Sequence, residues 1–261
     1  MSAILLESSI VHYEVLGRGR PVIFLHGWVG SWKYWIASMQ VTSTSFRAYA
    51  LDLWGFGDTA HNELKYTLDE QVKLLDSFLN ELGIGKIAIV GHGLGALVAM
   101  KFATRYRQSV DRVMAVNCPL NYEAVSPRLR TGTPQELSDW LSNRTPDAST
   151  ALSDASKADP KAVAASMNGF QADSQLFGDF RNMSIPCLLV YGEKDQAVTV
   201  PAYETAASTY THQIVLEGSG HFPMIEETIK FNRLLTDFLA LPSGISPGEL
   251  QMKDEWKRRV R

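Results

Sequence analysis

The residues with the most chemical content lie in Gly91-His92-Gly93-Leu94-Gly95. Lys86-Ile87-Ala88-Ile89-Val90 before them predicts a short buried strand, and Ala96 to Ala103 after them predicts a helix. A strand that turns sharply into a helix through G-x-S-x-G holds its central serine out as a nucleophile for acyl transfer. Here the flanking glycines are present, but the central residue is Gly93. With no hydroxyl at this position, serine-dependent acyl transfer is excluded there.

A second group of residues could still do acid–base chemistry. His221 stands in Gly218-Ser219-Gly220-His221-Phe222-Pro223, and Asp195 ends Gly192-Glu193-Lys194-Asp195. A carboxylate on the Nδ1–H of a histidine fixes its tautomer and stabilises the imidazolium, so the pair can act as a general base. The bland alternatives are a histidine held by a backbone carbonyl and a turn or N-cap aspartate. Glu193 rivals Asp195 for the same role.

Elements that place these loops follow from periodicity. Ile4 to Val15 predicts one or two opening, antiparallel strands, broken at Gly17-Arg18-Gly19-Arg20-Pro21. Pro21 to Leu25 predicts a buried strand ending at His26-Gly27, and Ala48 to Leu51 one ending at Asp52. Helices are predicted over Ser31 to Gln40 and Thr67 to Leu82, the latter with an N-cap at Thr67 and a capping-box Glu70. Further strands are predicted within Val110 to Val116, at Cys187 to Tyr191 and at Gln213 to Leu216, with helices around Pro201 to Thr209 and over Ile225 to Leu239. Alternating strands and helices imply an α/β class: a mostly parallel central sheet with helices on both faces and its strand-to-helix loops gathered at one edge.

Leu120 to Ser184 breaks the alternation and is rich in Ser, Ala, Asp, Asn and Thr. Short helices are predicted at Pro134 to Ser142 and Pro160 to Gln171. We divide the chain into a core of residues 1–119 and 185–241, a helical lid of 120–184, and a tail of 242–261 ending in the basic run Lys253 to Arg261. The tail is read as solvated, with a docking role as the alternative.

With 261 residues, 45% apolar and 20% charged, the chain is long enough for one large core. A net charge of −3 argues against a nucleic-acid partner. No apolar run approaches the roughly 18 residues of a membrane helix, and Met1 to Glu7 shows no secretory pattern, so a cytoplasmic location is expected. The only two cysteines, Cys118 and Cys187, are read as packed thiols rather than a disulfide. The six histidines, His12, His26, His61, His92, His212 and His221, show no paired metal-ligand spacing, so no metal and no cofactor are expected. Gly91, Gly93 and Ala96 with Asp111 overlap a dinucleotide fingerprint, but that reading explains none of the other motifs.

Four motifs in order, each closing a predicted strand, resemble the α/β-hydrolase fold superfamily: His26-Gly27-Trp28, Asp52 to Thr59, the turn at 91–95, and the Asp195 and His221 loops. The resemblance covers Ile10 to about Leu241. It implies that His221 and Asp195 are triad members, that Gly93 stands at the nucleophile position, and that the backbone N–H groups of Trp28 and Leu94 form an oxyanion hole. His92 is then structural, and Cys118 is not a substitute nucleophile because it lies outside the turn. Trp28, Trp140 and Phe222 are the aromatics expected to face a small, largely apolar, carbonyl-containing molecule.

Three functions follow. His221 acts as a general base on water or on the substrate itself, giving weak hydrolase- or lyase-like chemistry. Alternatively the chain is a non-catalytic binding or scaffold protein. A third reading is a Ser-to-Gly knock-out of a serine hydrolase.

Overall fold

The computed structural model describes residues 2–142, 146–173, 175–206 and 208–250. The basic run Lys253 to Arg261 therefore lies outside the described residues. The strands are β1 (Ser2–Leu6), β2 (Ser9–Gly17), β3 (Arg20–Leu25), β4 (Phe46–Leu51), β5 (Ile87–His92), β6 (Val110–Val116), β7 (Cys187–Gly192) and β8 (Thr211–Leu216). They form one eight-stranded sheet in the order β1-β2-β4-β3-β5-β6-β7-β8. The β1–β2 and β2–β4 pairs are antiparallel, and all later pairs are parallel.

Residue patterns explain the placement. β5 and β7 are buried along their whole length, as strands covered on both faces must be. The edge strand β1 alternates Ser2, Ala3, Ile4 and Leu5 between half-buried and exposed. The first two strands form a hairpin through Glu7 and Ser8, both at positive φ (46° and 63°), the geometry that suits the sheet twist.

Helices α1 (Ile36–Thr42), α2 (Leu68–Glu81) and α3 (Leu94–Arg105) follow β3, β4 and β5. In α2 the buried residues Leu68, Val72, Leu75 and Leu79 recur at i, i+4, i+7 and i+11, one stripe turned inward. Thr67 caps α2 by accepting from the Glu70 N–H, but no capping box closes, because the Glu70 carboxylate pairs with Lys73 instead. The helix predicted over Ser31 to Gln40 begins as a 3₁₀ turn, Trp32–Trp35, before α1.

Between β6 and β7 the chain is helical: α4 (Pro127–Thr131), α5 (Pro134–Leu141), α6 (Pro146–Ala151), α7 (Pro160–Ala172) and α8 (Leu176–Arg181). Here a true capping box exists, Thr133 with Glu136. The last part adds α9 (Tyr203–Ala206), α10 (Pro223–Glu226) and α11 (Thr228–Ala240). The single helix predicted over Ile225 to Leu239 is thus two, parted at Glu227, whose backbone leaves the helical region (φ −126°, ψ 46°). Among the described residues no helix is long and apolar enough to cross a membrane.

Candidate active site

The parallel strands end together, so His26, Asp52, Gly93, Asn117, Asp195 and His221 all lie on loops at one edge of the sheet. Gly93 joins β5 to α3 with φ 50° and ψ −110°, a backbone that a side chain adopts only with strain. Its N–H donates to the Val116 carbonyl at 2.9 Å, and its carbonyl accepts from Ala96 and Leu97, each at 3.1 Å.

The three glycines of the turn differ in what surrounds them. A Cβ on Gly91 would run into the Gly95 carbonyl, and one on Gly95 into the Leu25 and His26 carbonyls. A Cβ on Gly93 would meet nothing closer than the Trp28 indole, at 3.3 Å and 3.4 Å. Close packing therefore demands glycine at 91 and 95, whereas space for a side chain exists at 93.

His221 and Asp195 come together from the β8 and β7 loops. His221 Nδ1 lies 3.0 Å from both Asp195 carboxylate oxygens, and Asp195 Oδ1 also accepts from the Ala197 N–H at 2.7 Å and the Val198 N–H at 3.2 Å. Both side chains are almost fully buried, 3% and 0% exposed. With Nδ1 committed, Nε2 is the nitrogen free for proton transfer. The rival Glu193 turns away and accepts from the Gly218 N–H at 2.9 Å.

The N–H groups of Trp28 and Leu94 donate to no acceptor among the described residues. Leu94 is the first residue of α3, where the helix dipole favours negative charge. The Gly27–Trp28 peptide is held by its carbonyl, which accepts from His26 Nδ1–H at 2.8 Å, while His26 Nε2 accepts from the Leu53 N–H at 3.0 Å. In a trans peptide the C=O and N–H point oppositely, so the hydrogen bond from His26 sets the direction of the Trp28 N–H. Burial lowers the pKa of His26, in keeping with the neutral ring these bonds require.

Two residues that the sequence did not single out brace this arrangement. Tyr34 Oη accepts from the Gly27 N–H and lies 3.0 Å from His92 Nδ1. His92 Nε2 lies 2.9 Å from the His221 carbonyl. A neutral His92, donating from Nε2 and accepting the Tyr34 hydroxyl at Nδ1, satisfies every bond. Burial, reinforced by the neighbouring His221, holds the His92 pKa well below the ordinary range. Asn117, buried at the end of β6 with φ 44°, donates to the same His221 carbonyl at 2.8 Å and accepts from the Gly192 N–H at 2.9 Å. Thus Asn117 joins the β6 and β7 ends to the His221 loop. Neither residue had a sequence signal beyond its position on or near a strand-end loop.

The remaining candidates fall as follows. Trp28 is buried, its Nε1–H donating to Ser166 Oγ of α7 at 3.0 Å. Phe222 is also buried, its ring against Tyr34, His92 and His221. Trp140 is half-buried and donates to Gln196 beside Asp195, at 3.0 Å. Cys118 and Cys187 are buried free thiols, and burial raises the Cys118 pKa far from the thiolate range. Asp111 sits at the start of β6, the opposite end of the strand from the turn, and pairs with Arg112.

Among the described residues, His12, Asp52 and Asp58 bring one ligand atom each within 4.8 Å of one another, a grouping invisible in sequence spacing. Protein donors already occupy them: Asp52 accepts from the Trp32 N–H at 2.8 Å and the Asp58 N–H at 3.1 Å, and pairs with His12 Nδ1 at 2.8 Å, while Asp58 pairs with Lys157.

Comparison with known proteins agrees with this architecture. A 2-hydroxy-6-oxo-6-(2'-aminophenyl)hexa-2,4-dienoic acid hydrolase from Metapseudomonas resinovorans is 25% identical over 268 residues, 90% of this chain and 89% of that one. A thermophilic esterase from Thermogutta terrifontis superposes with a TM-score of 0.77 at 22% identity, covering 91% of this chain and 97% of the other. The enol-lactonase from Burkholderia xenovorans LB400 gives a TM-score of 0.77 at 20% identity, covering 92% and 100%. At these identities the two structures show the fold alone. A model of the alpha/beta hydrolase family matches residues 22–233, from β3 into α11. The chain belongs to the alpha/beta hydrolase family.

Proposed function

We propose that this protein uses His221, oriented by Asp195, as a general base at a site whose nucleophile position is Gly93. A water beside Gly93 loses its proton to His221 Nε2 as its oxygen attacks a substrate carbonyl. The charge that develops on the carbonyl oxygen is met by the Trp28 and Leu94 N–H groups, and the imidazolium returns the proton to the leaving group. A substrate with an acidic C–H is instead deprotonated directly. The substrate is a small, largely apolar carbonyl compound, in line with the ester, lactone and dienoic acid named for the relatives. Residues 120–184 form the lid over this site, and 1–119 with 185–241 the core.

The observation that carries this reading is that the His221–Asp195 contact coexists with two backbone donors, Trp28 and Leu94, that have no acceptor among the described residues. General-base assistance contributes typically about 10²–10⁴-fold. Turnover of p-nitrophenyl esters is therefore expected to be slow and to drop in His221→Ala. Full activity in His221→Ala overturns the reading.

A non-catalytic binding protein is the second reading. The Trp28 indole favours it, since it lies over Gly93 while 1% exposed and anchored to α7. It predicts saturable binding with no product; a chemically altered ligand recovered from the protein overturns it.

A further inference from the structure

Two hollows lie side by side along α3 and share Asp173 and Leu176 as a common wall. The first, about 300 Å³, is lined by Leu97 and Met100 of α3, Leu120, Phe170 of α7, and Leu176 and Phe177 of α8. That volume is at the small end of the ligand-pocket range, and the apolar side chains share the lining with Asn121, Gln171 and the carboxylates Glu123 and Asp173. The second, about 350 Å³, is lined by Lys101, Arg105 and Arg107 at the C-terminal end of α3. At about 1.5 Å rise per residue, the apolar hollow lies near the first turns of α3 and the basic one at its far end.

The charges give the pair a direction. Lys101 is held by Asp173 at 2.6 Å and Asp69 at 3.3 Å, and Arg105 by Asp69 at 2.6 Å. Arg107 is exposed and has no ion-pair partner among the described residues. Among the described residues, these three cations thus meet two carboxylates, and Arg107 is the one left without a partner. At the other end Glu123 lies on the rim of the apolar hollow and repels an anion there. Cations at a helix C-terminus are favourable without any ligand. The apolar hollow that opens beside them is what a ligand would explain.

We propose that the face of α3 against α7 and α8 binds an amphipathic monocarboxylate, its alkyl or aryl part between Leu97, Met100 and Phe170 and its carboxylate at Arg107. The site does not rest on the chemistry proposed for His221, and its side chains are not those of the dyad. An uncharged chain of the same length lacks the partner for Arg107, and a cationic one is repelled by it.

The test is titration of the full chain with octanoate, octanol and octylammonium, followed by calorimetry. Octanoate is expected to saturate at millimolar concentration or below and to bind more tightly than the other two. Arg107→Glu, a surface change that leaves the core intact, is expected to weaken octanoate about fivefold or more and to leave octanol unaltered. Leu97→Trp, which fills the hollow, is expected to abolish binding of all three. In His221→Ala octanoate binding is expected to persist. Octanol binding as tightly as octanoate overturns the proposal, as does octanoate binding indifferent to Arg107→Glu. Octanoate affinity lost in His221→Ala but kept in Arg107→Glu places the ligand at the dyad, overturning this site while leaving the general base standing.

Discussion

The edge of the Trp28 indole lies 3.3 Å from where a Cβ on Gly93 would stand. A side chain at 93 therefore needs the indole to give way by a few tenths of an ångström, and it must accept φ 50°. Strain of that kind costs about 1–3 kcal/mol. Gly93→Ala and Gly93→Ser are expected to lose that much stability in urea unfolding, by similar amounts, because the hydroxyl does not relieve the backbone. Only Gly93→Ser is expected to gain turnover of p-nitrophenyl esters. A folded Gly93→Ser with no gain means that the rest of the site no longer supports acyl transfer, which favours the binding-protein reading.

In the Gly93→Ser background the two residues around the imidazole are separable. Asp195→Asn removes the charge that accepts His221 Nδ1–H, and in serine proteases the equivalent loss costs on the order of 10⁴ in kcat. A fall of roughly that order, with KM little changed, is expected here. Glu193→Gln is expected to leave kcat within about twofold, since its carboxylate faces Gly218. A large effect of Glu193→Gln with a small one of Asp195→Asn reverses the assignment.

The loops of the site were legible because each closes an apolar run: β3 at His26, β4 at Asp52, β5 at the turn and β7 before Asp195. Their braces were not. Asn117 reaches the His221 carbonyl across 104 positions, and His12 meets Asp52 across 40. Such pairs have no local period or spacing to betray them. The break at Glu227 was hidden for a similar reason. Apolar periodicity runs straight through it, but Glu226 is drawn back to accept from the Gly220 and Phe222 N–H groups, so tertiary contact sets the helix boundary. The helices α4, α6 and α8 are of five or six residues, too short for a periodic signal.

Tyr34→Phe tests whether the brace behind the dyad is structural in fact. The change keeps the ring but leaves the Gly27 N–H without its acceptor and His92 Nδ1 without its donor, both buried. An orphaned buried polar group costs about 1–3 kcal/mol, and a loss of at least that size is expected in urea unfolding. In the Gly93→Ser background kcat is expected to fall as well, because Gly27 precedes the peptide that aims the Trp28 N–H. Unchanged stability means that water replaces the hydroxyl and that the network does not hold the loop.

The contact between His12 and Asp52 should make stability depend on pH in a stated direction. Burial disfavours charge on His12, but the hydrogen bond and charge of Asp52, with Glu14 and Asp58 nearby, outweigh it and raise the His12 pKa above its ordinary 6.5. A histidine whose pKa rises on folding stabilises the folded state fully below its unfolded value, and that contribution is lost as pH climbs through the folded value. His26 and His92, whose pKa values fall on burial, act in the opposite sense. They are common to wild type and His12→Gln, so they cancel in the difference between the two. That difference in unfolding free energy is expected to be larger near pH 6 than near pH 9, with the change falling above the ordinary histidine value. A difference that stays flat, or grows toward alkaline pH, means that His12 is held neutral and serves Asp52 only as a hydrogen-bond donor.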